Sequence, residues 1–218
     1  MNMIILALVV CLFIGIANER ATATTSDEPL QKCIIICMVC ITIFGGLMMD
    51  VGGGYRTNAG SVLYAGVLAL QYIIMRRFGW EAGTRCVIGT FVSLAMLAAL
   101  MAVFAEFVDH DPMGQAYRLV IEGARRITVA SFVAFAVGQT LFVILYRKAQ
   151  NAPMALGYVI NIAIVQAVDS AIFFSIAFGF EGFGAGIMLS GYLVKVAIGL
   201  LMIPLLALAT RPRMLNLP

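Results

Sequence analysis

The chain has 218 residues, of which 62% are hydrophobic and only 11% charged, with a formal net charge of +3 and a mean hydropathy of +1.02. These values exclude a soluble globular domain, whose water-facing shell needs more charge. The Lys and Arg residues are scattered and form no basic stripe interleaved with aromatics, which excludes nucleic acid as a partner.

At roughly 20 residues per bilayer crossing, the length corresponds to about six or seven spans. Long apolar runs bounded by charge place these spans over 3–17, 33–49, 59–75, 86–105, 127–146, 154–178 and 187–209. Backbone amides inside the hydrocarbon must all be bonded within the segment, so the runs are expected to be helices. The fold class expected is therefore all-α: a polytopic membrane bundle of six core transmembrane helices over 33–209 plus an extra N-terminal helix within 1–20. All belong to a single integral membrane domain, with the lipid bilayer as one partner. Ala21-Thr22-Ala23 after the first run resembles a signal-peptide cleavage site. The absence of a basic stretch ahead of that run favours a retained helix.

The connections alternate in charge. Arg76, Arg77 and Arg85 fall in one, Arg147 and Lys148 in another, and Arg211 and Arg213 in the tail, while Asp50, the segment from Glu106 to Asp111, and Glu181 mark acidic or nearly neutral ones. Grouping the basic loops on the cytoplasmic side puts the N-terminus outside and the C-terminus inside. Arg118, Arg125 and Arg126 break the pattern, lying in an otherwise outer connection just ahead of the fifth span. The glycine-rich stretches 52–54 and 179–186 read as turns or unwound helix ends and lack phosphate-loop spacing. Gly138, Ala134, Ser131, Gly186 and Ser190 are small residues at which helices could approach closely.

Five cysteines, Cys11, Cys33, Cys37, Cys40 and Cys86, lie in or beside apolar runs, and the odd count argues against a disulfide framework. Cys33, Cys37 and Cys40 share a helical face, but the single histidine, His110, is distant, and Cys packs well as a small hydrophobe. No metal and no cofactor are expected. Asp109-His110-Asp111 offers acid, base and ligand groups, yet beside Pro112 it reads as a solvated turn. No nucleophile-elbow, zinc-protease or serine–histidine pattern occurs, so enzymatic activity is not expected.

The residues that stand out are polar ones inside apolar spans, where Asp or Lys costs roughly 2.5 to 3.5 kcal/mol at a helix centre. Asp169 and Lys195 are the two charged examples. Gln166 lies three residues before Asp169 and Phe173 four after it, so amide, carboxylate and ring lie close to one helical face. Gln139, Asn161 and Ser131 add neutral donors and acceptors on neighbouring spans. An Asp169–Lys195 pair that only fixes helix packing would make the chain a non-transporting scaffold or pore component. The surplus of neutral polar groups instead suits recognition of a heteroatom-rich solute.

Arg126-Ile-Thr-Val-Ala-Ser-Phe-Val-Ala-Phe-Ala-Val-Gly-Gln139, then Gln166-Ala-Val-Asp169-Ser170-Ala-Ile-Phe173 with Ile176-Ala-Phe178, then Tyr192-Leu-Val-Lys195 and Pro204, resemble in order and spacing the VUT family of queuosine-precursor transporters. Ala59-Gly60-Ser61 and Phe78-Gly79 look like that family's early helical pair. Two aspartates common in the family are missing, since the chain offers Gln71 and Tyr72 in the third span and Phe142 three residues after Gln139. The resemblance implies uptake of a small-molecule deazapurine, 7-cyano-7-deazaguanine or its aminomethyl relative, across a bacterial inner membrane; another nucleobase or a vitamin remains the alternative cargo. It also implies a substrate site drawn from Arg126, Ser131, Gln139, Gln166, Asp169, Phe173 and Lys195. Whether the protein works alone or as a homo-oligomer is left open.

Overall fold

A computed structural model describes residues 2–44, 48–52, 55–107, 112–182 and 185–210. Eight helices follow in order: α1 (Asn2–Thr24), α2 (Glu28–Phe44), α3 (Ala59–Phe78), α4 (Trp80–Phe107), α5 (Pro112–Ala149), α6 (Met154–Gly182), α7 (Ala185–Leu201) and α8 (Ile203–Ala209). Between α2 and α3 the backbone forms an antiparallel hairpin, β1 (Met48–Gly52) and β2 (Tyr55–Asn58), with β2 against α7. The protein is thus an all-α helical membrane bundle carrying one short hairpin. Four stretches among the described residues are long and apolar enough to cross a membrane: Trp80–Val103, Ile127–Ala149, Met154–Ala177 and Met188–Ala209.

The bundle is ordered around α3. Every residue from Ser61 to Met75 is buried except the half-buried Leu63, and α1, α2, α4 and α7 all pack on this helix. A helix apolar on every side is stable only when enclosed in this way. The outer helices show the reverse polarity of a soluble protein: Val129, Val133, Val137 and Ile144 on α5, and Leu156, Ile160 and Ile164 on α6, are exposed. Their spacing of four or seven residues marks stripes facing lipid, while Ala134, Gln139, Phe142, Asn161, Gln166 and Asp169 face inward. Val10, Ile14, Ala17 and Ala21 line the buried side of α1, so this helix belongs to the core. A Cβ added at Gly66 would overlap Val10 Cγ1, so α1 and α3 meet closely where glycine leaves room.

Helix ends follow local chemistry. Gly79, at φ +87°, ends α3 and donates its amide to the Met75 carbonyl at 3.1 Å, a conformation glycine adopts without steric cost. Pro204, which lacks an amide hydrogen, splits the last span: α7 stops at Leu201 and α8 resumes after Met202, whose amide bonds Gly199 O at 3.1 Å. Gly179, at φ +72° and ψ 168°, interrupts α6.

Two sequence expectations are corrected. The second span was expected to run to residue 49, but α2 ends at Phe44, and Met48 and Met49 belong to the hairpin, where they pair with Asn58 and Thr57 of β2. The connection ahead of the fifth span is not a loop, because α5 starts at Pro112 and runs for 38 residues. At about 1.5 Å per residue it is about 57 Å long, well beyond the roughly 30 Å of hydrocarbon. The backbone at Arg118, Arg125 and Arg126 therefore lies on a helical extension of that span. The last span is found over Met188–Ala209, as expected, and is built of two helices, α7 and α8.

The basic connections converge at one end of the bundle. Arg77 Nη1 bonds Asn18 Oδ1 at 2.7 Å, Arg76 Nη1 bonds the Gln150 carbonyl at 3.1 Å, and the Arg147 guanidinium lies 4.3 Å from the Trp80 ring centre. Arg85 Nη2 lies 4.0 Å from Asp27 Oδ2, which ties in the α1–α2 connection.

Candidate functional site

Asp169 on α6 and Lys195 on α7 meet midway along the bundle. Lys195 Nζ donates to Asp169 Oδ2 at 2.6 Å and to Ser170 Oγ at 3.3 Å, with the two charged side chains only 7% and 8% exposed. They are the only buried charged side chains among the described residues. Burial requires such charges to be paired and hydrogen-bonded, and both conditions are met.

The pair is enclosed by α3 and α5. Lys195 Nζ lies 5.7 Å from the ring centre of Tyr64, an attractive cation–π placement. Gln139 Nε2 donates to Tyr64 Oη at 3.4 Å. Gly138 makes room for the group: a Cβ there would stand 3.2 Å from Tyr64 Oη and 3.7 Å from Asp169 Oδ1. Four helices therefore contribute to one polar layer.

Several buried polar atoms near this layer have no hydrogen-bond partner among the described residues. Gln166, wholly buried one turn before Asp169 on α6, has both Nε2 and Oε1 unpartnered, and Gln139 has Oε1 unpartnered. An unsatisfied buried amide costs on the order of 1 to 3 kcal/mol per group.

The expected site residues divide as follows. Gln139, Asp169 and Lys195 come together, joined by Tyr64 and Ser170. Phe173, 8% exposed, stands one turn beyond Asp169, packed edge-on to Phe174 with centroids 5.3 Å apart, in an apolar cluster with Ala130, Ala134 and Ala177. Ser131 is half-buried about two turns from Gln139 along α5, and no described contact brings it to the ion pair. The side chain of Arg126 lies outside the described residues, as do residues 108–111 with Asp109, His110 and Asp111. Cys33 is buried and Cys37 and Cys40 half-buried. No group of three metal-ligating side chains converges among the described residues.

Tyr64 was missed by sequence reasoning because a tyrosine in an apolar helix is ordinary; its one signal is the position one turn after Ser61. The two positions lacking the expected aspartates turn out to be neighbours. Tyr72 and Phe142 have ring centroids 6.4 Å apart, and Tyr146 and Tyr158 add edge-on contacts to Tyr72 at 5.5 and 5.1 Å. Tyr72 Oη donates to the Met154 carbonyl at 3.1 Å and Tyr146 Oη to the Met75 carbonyl at 3.0 Å. An aromatic layer thus separates the polar layer from the end where the basic connections meet.

Comparison with family models finds a match over residues 58–209, more than two thirds of the chain, to the family described as "Putative vitamin uptake transporter". No curated protein and no solved structure matches.

Proposed function

Because the chain belongs to this family of vitamin uptake transporters, we propose that it carries a queuosine precursor, 7-cyano-7-deazaguanine or a related 7-deazaguanine, across a bacterial inner membrane by alternate exposure of the Asp169 layer. The observation that carries the reading is the buried polar layer itself: one ion pair, Tyr64, and two carboxamides with unpartnered atoms inside an apolar bundle. The precursor's ring presents N–H and exocyclic amine donors and a carbonyl acceptor. Asp169 Oδ1 is a suitable acceptor for the exocyclic amine, and Gln139 and Gln166 match the remaining heteroatoms. Phe173 would cover the ring face, and Lys195 would hold the Asp169 carboxylate in place. Ser131 and Arg126, on the stretch of α5 leading away from the layer, would lie along the approach. The family match supports reading the protein as a carrier.

A second cargo class, another nucleobase or a vitamin, draws support from the aromatic layer at Tyr72 and Phe142, where the resembling family carries carboxylates. The test is uptake in cells unable to make the precursor. Cells expressing the protein and given 7-cyano-7-deazaguanine should recover queuosine in their tRNA, and cells with Asp169→Asn should not. Absence of queuosine in both would remove this cargo.

A further inference from the structure

The charge and hydrogen-bonding inventory of the polar layer restricts its ligand beyond the class named above. Asp169 and Lys195 carry opposite charges 2.6 Å apart, so the layer sums to zero, and no other charged side chain is buried among the described residues. A ligand with a net charge would bring an uncompensated ion into this interior, where desolvation is expensive and nothing offsets it. A neutral ligand leaves the pair intact.

The unpartnered atoms specify the complementary edge. A carboxamide whose oxygen and nitrogen are both unpartnered, as in Gln166, offers one acceptor and a donor side by side. Its complement is a ring edge with an N–H beside a carbonyl, which takes both hydrogen bonds at once. Gln139 Oε1 requires one further donor. A purely apolar ring would leave all three atoms unsatisfied.

Resting on the transport reading, we infer that the site selects a net-uncharged heterocycle bearing a lactam-type N–H/C=O edge, paired bidentately by Gln166, and rejects ligands carrying a carboxylate or an ammonium group. Among 7-deazaguanines this singles out the nitrile over the 7-carboxy compound, an anion, and the 7-aminomethyl compound, a cation at neutral pH. It also separates neutral vitamins with an imide edge, such as riboflavin, from the anion biotin and the cation thiamine.

The experiment is calorimetric titration of the full-length protein in lipid nanodiscs with these six compounds, repeated on Gln166→Leu. The nitrile should bind about 10- to 100-fold more tightly than its carboxy and aminomethyl relatives, and Gln166→Leu should weaken it by about 10- to 100-fold, the range for leaving polar partners unpaired. Comparable binding of the three deazaguanines, or tight binding of biotin or thiamine, would overturn the inference without any variant being needed. Unchanged nitrile affinity in a Gln166→Leu protein that keeps the wild-type unfolding temperature would overturn the role of Gln166. Should riboflavin bind in a Gln166-dependent way and no deazaguanine bind, the inference stands and the proposed cargo falls.

Discussion

Removing the charges at Asp169 and Lys195 singly and together distinguishes a transport site from a structural clasp. At 2.6 Å and an effective dielectric of about 20, the attraction between the two charges is about 6 kcal/mol. Desolvating each ion costs several kcal/mol, so the pair is close to break-even in net stability. Taking away one partner is different, because the survivor stays buried without compensation. Asp169→Leu and Lys195→Met should each destabilise the bundle by about 3 to 5 kcal/mol, while the double variant should return to within about 1 or 2 kcal/mol of wild type. Reversible unfolding in bicelles measures the stabilities, and uptake by the same proteins in liposomes measures function. Recovery of stability with no recovery of uptake is the expected result. Recovery of both in the double variant would refute the reasoning, since the pair would then only fix helix packing. Wild-type stability in both single variants would refute the burial argument itself.

Other expectations follow from packing. Gln166→Leu removes two unpartnered buried amide atoms, so the bundle should become equally or more stable by about 1 kcal/mol while uptake is lost, a trade of stability for recognition read by unfolding and flux together. A Cβ at Gly199 would overlap Ile162 Cδ1, so Gly199→Ala should cost about 1 to 3 kcal/mol, and adding Ile162→Val, which deletes that methyl, should restore most of it. Tyr72→Phe loses only the bond to the Met154 carbonyl, about 1 kcal/mol, whereas Tyr72→Ala opens the aromatic layer and should cost about 3 to 5 kcal/mol in the same unfolding assay. Reporter fusions at residue 210 should be active on the cytoplasmic side, because the C-terminus is proposed to share the face where Arg76, Arg77, Arg85 and Arg147 converge; activity outside would reverse the orientation.

Much of the bundle and part of the site were legible in the sequence, for identifiable physical reasons. Asp169 and Lys195 stood out because charge in hydrocarbon is costly, and the cost is met by their pairing. Tyr64 carried no such signal, since its ring satisfies an apolar helix and only tertiary packing brings its hydroxyl to Gln139. Tyr72 and Phe142 could be read as departures from a family pattern, but their contact depends on how α3 sits against α5. Spans were located by hydropathy, which tracks membrane depth and not helicity. This is why the helical start of α5 at Pro112, rich in arginine, passed for a connection, and why Met48 and Met49, apolar but in a hairpin, passed for helix. The break at Met202 was concealed by continuous apolarity on both sides of Pro204.

The most direct test is the flux of labelled 7-cyano-7-deazaguanine into liposomes holding the purified protein. Entry above that of protein-free liposomes, reduced to their level by Asp169→Asn, is the predicted result. No entry above protein-free liposomes, or entry undiminished by Asp169→Asn, would contradict it.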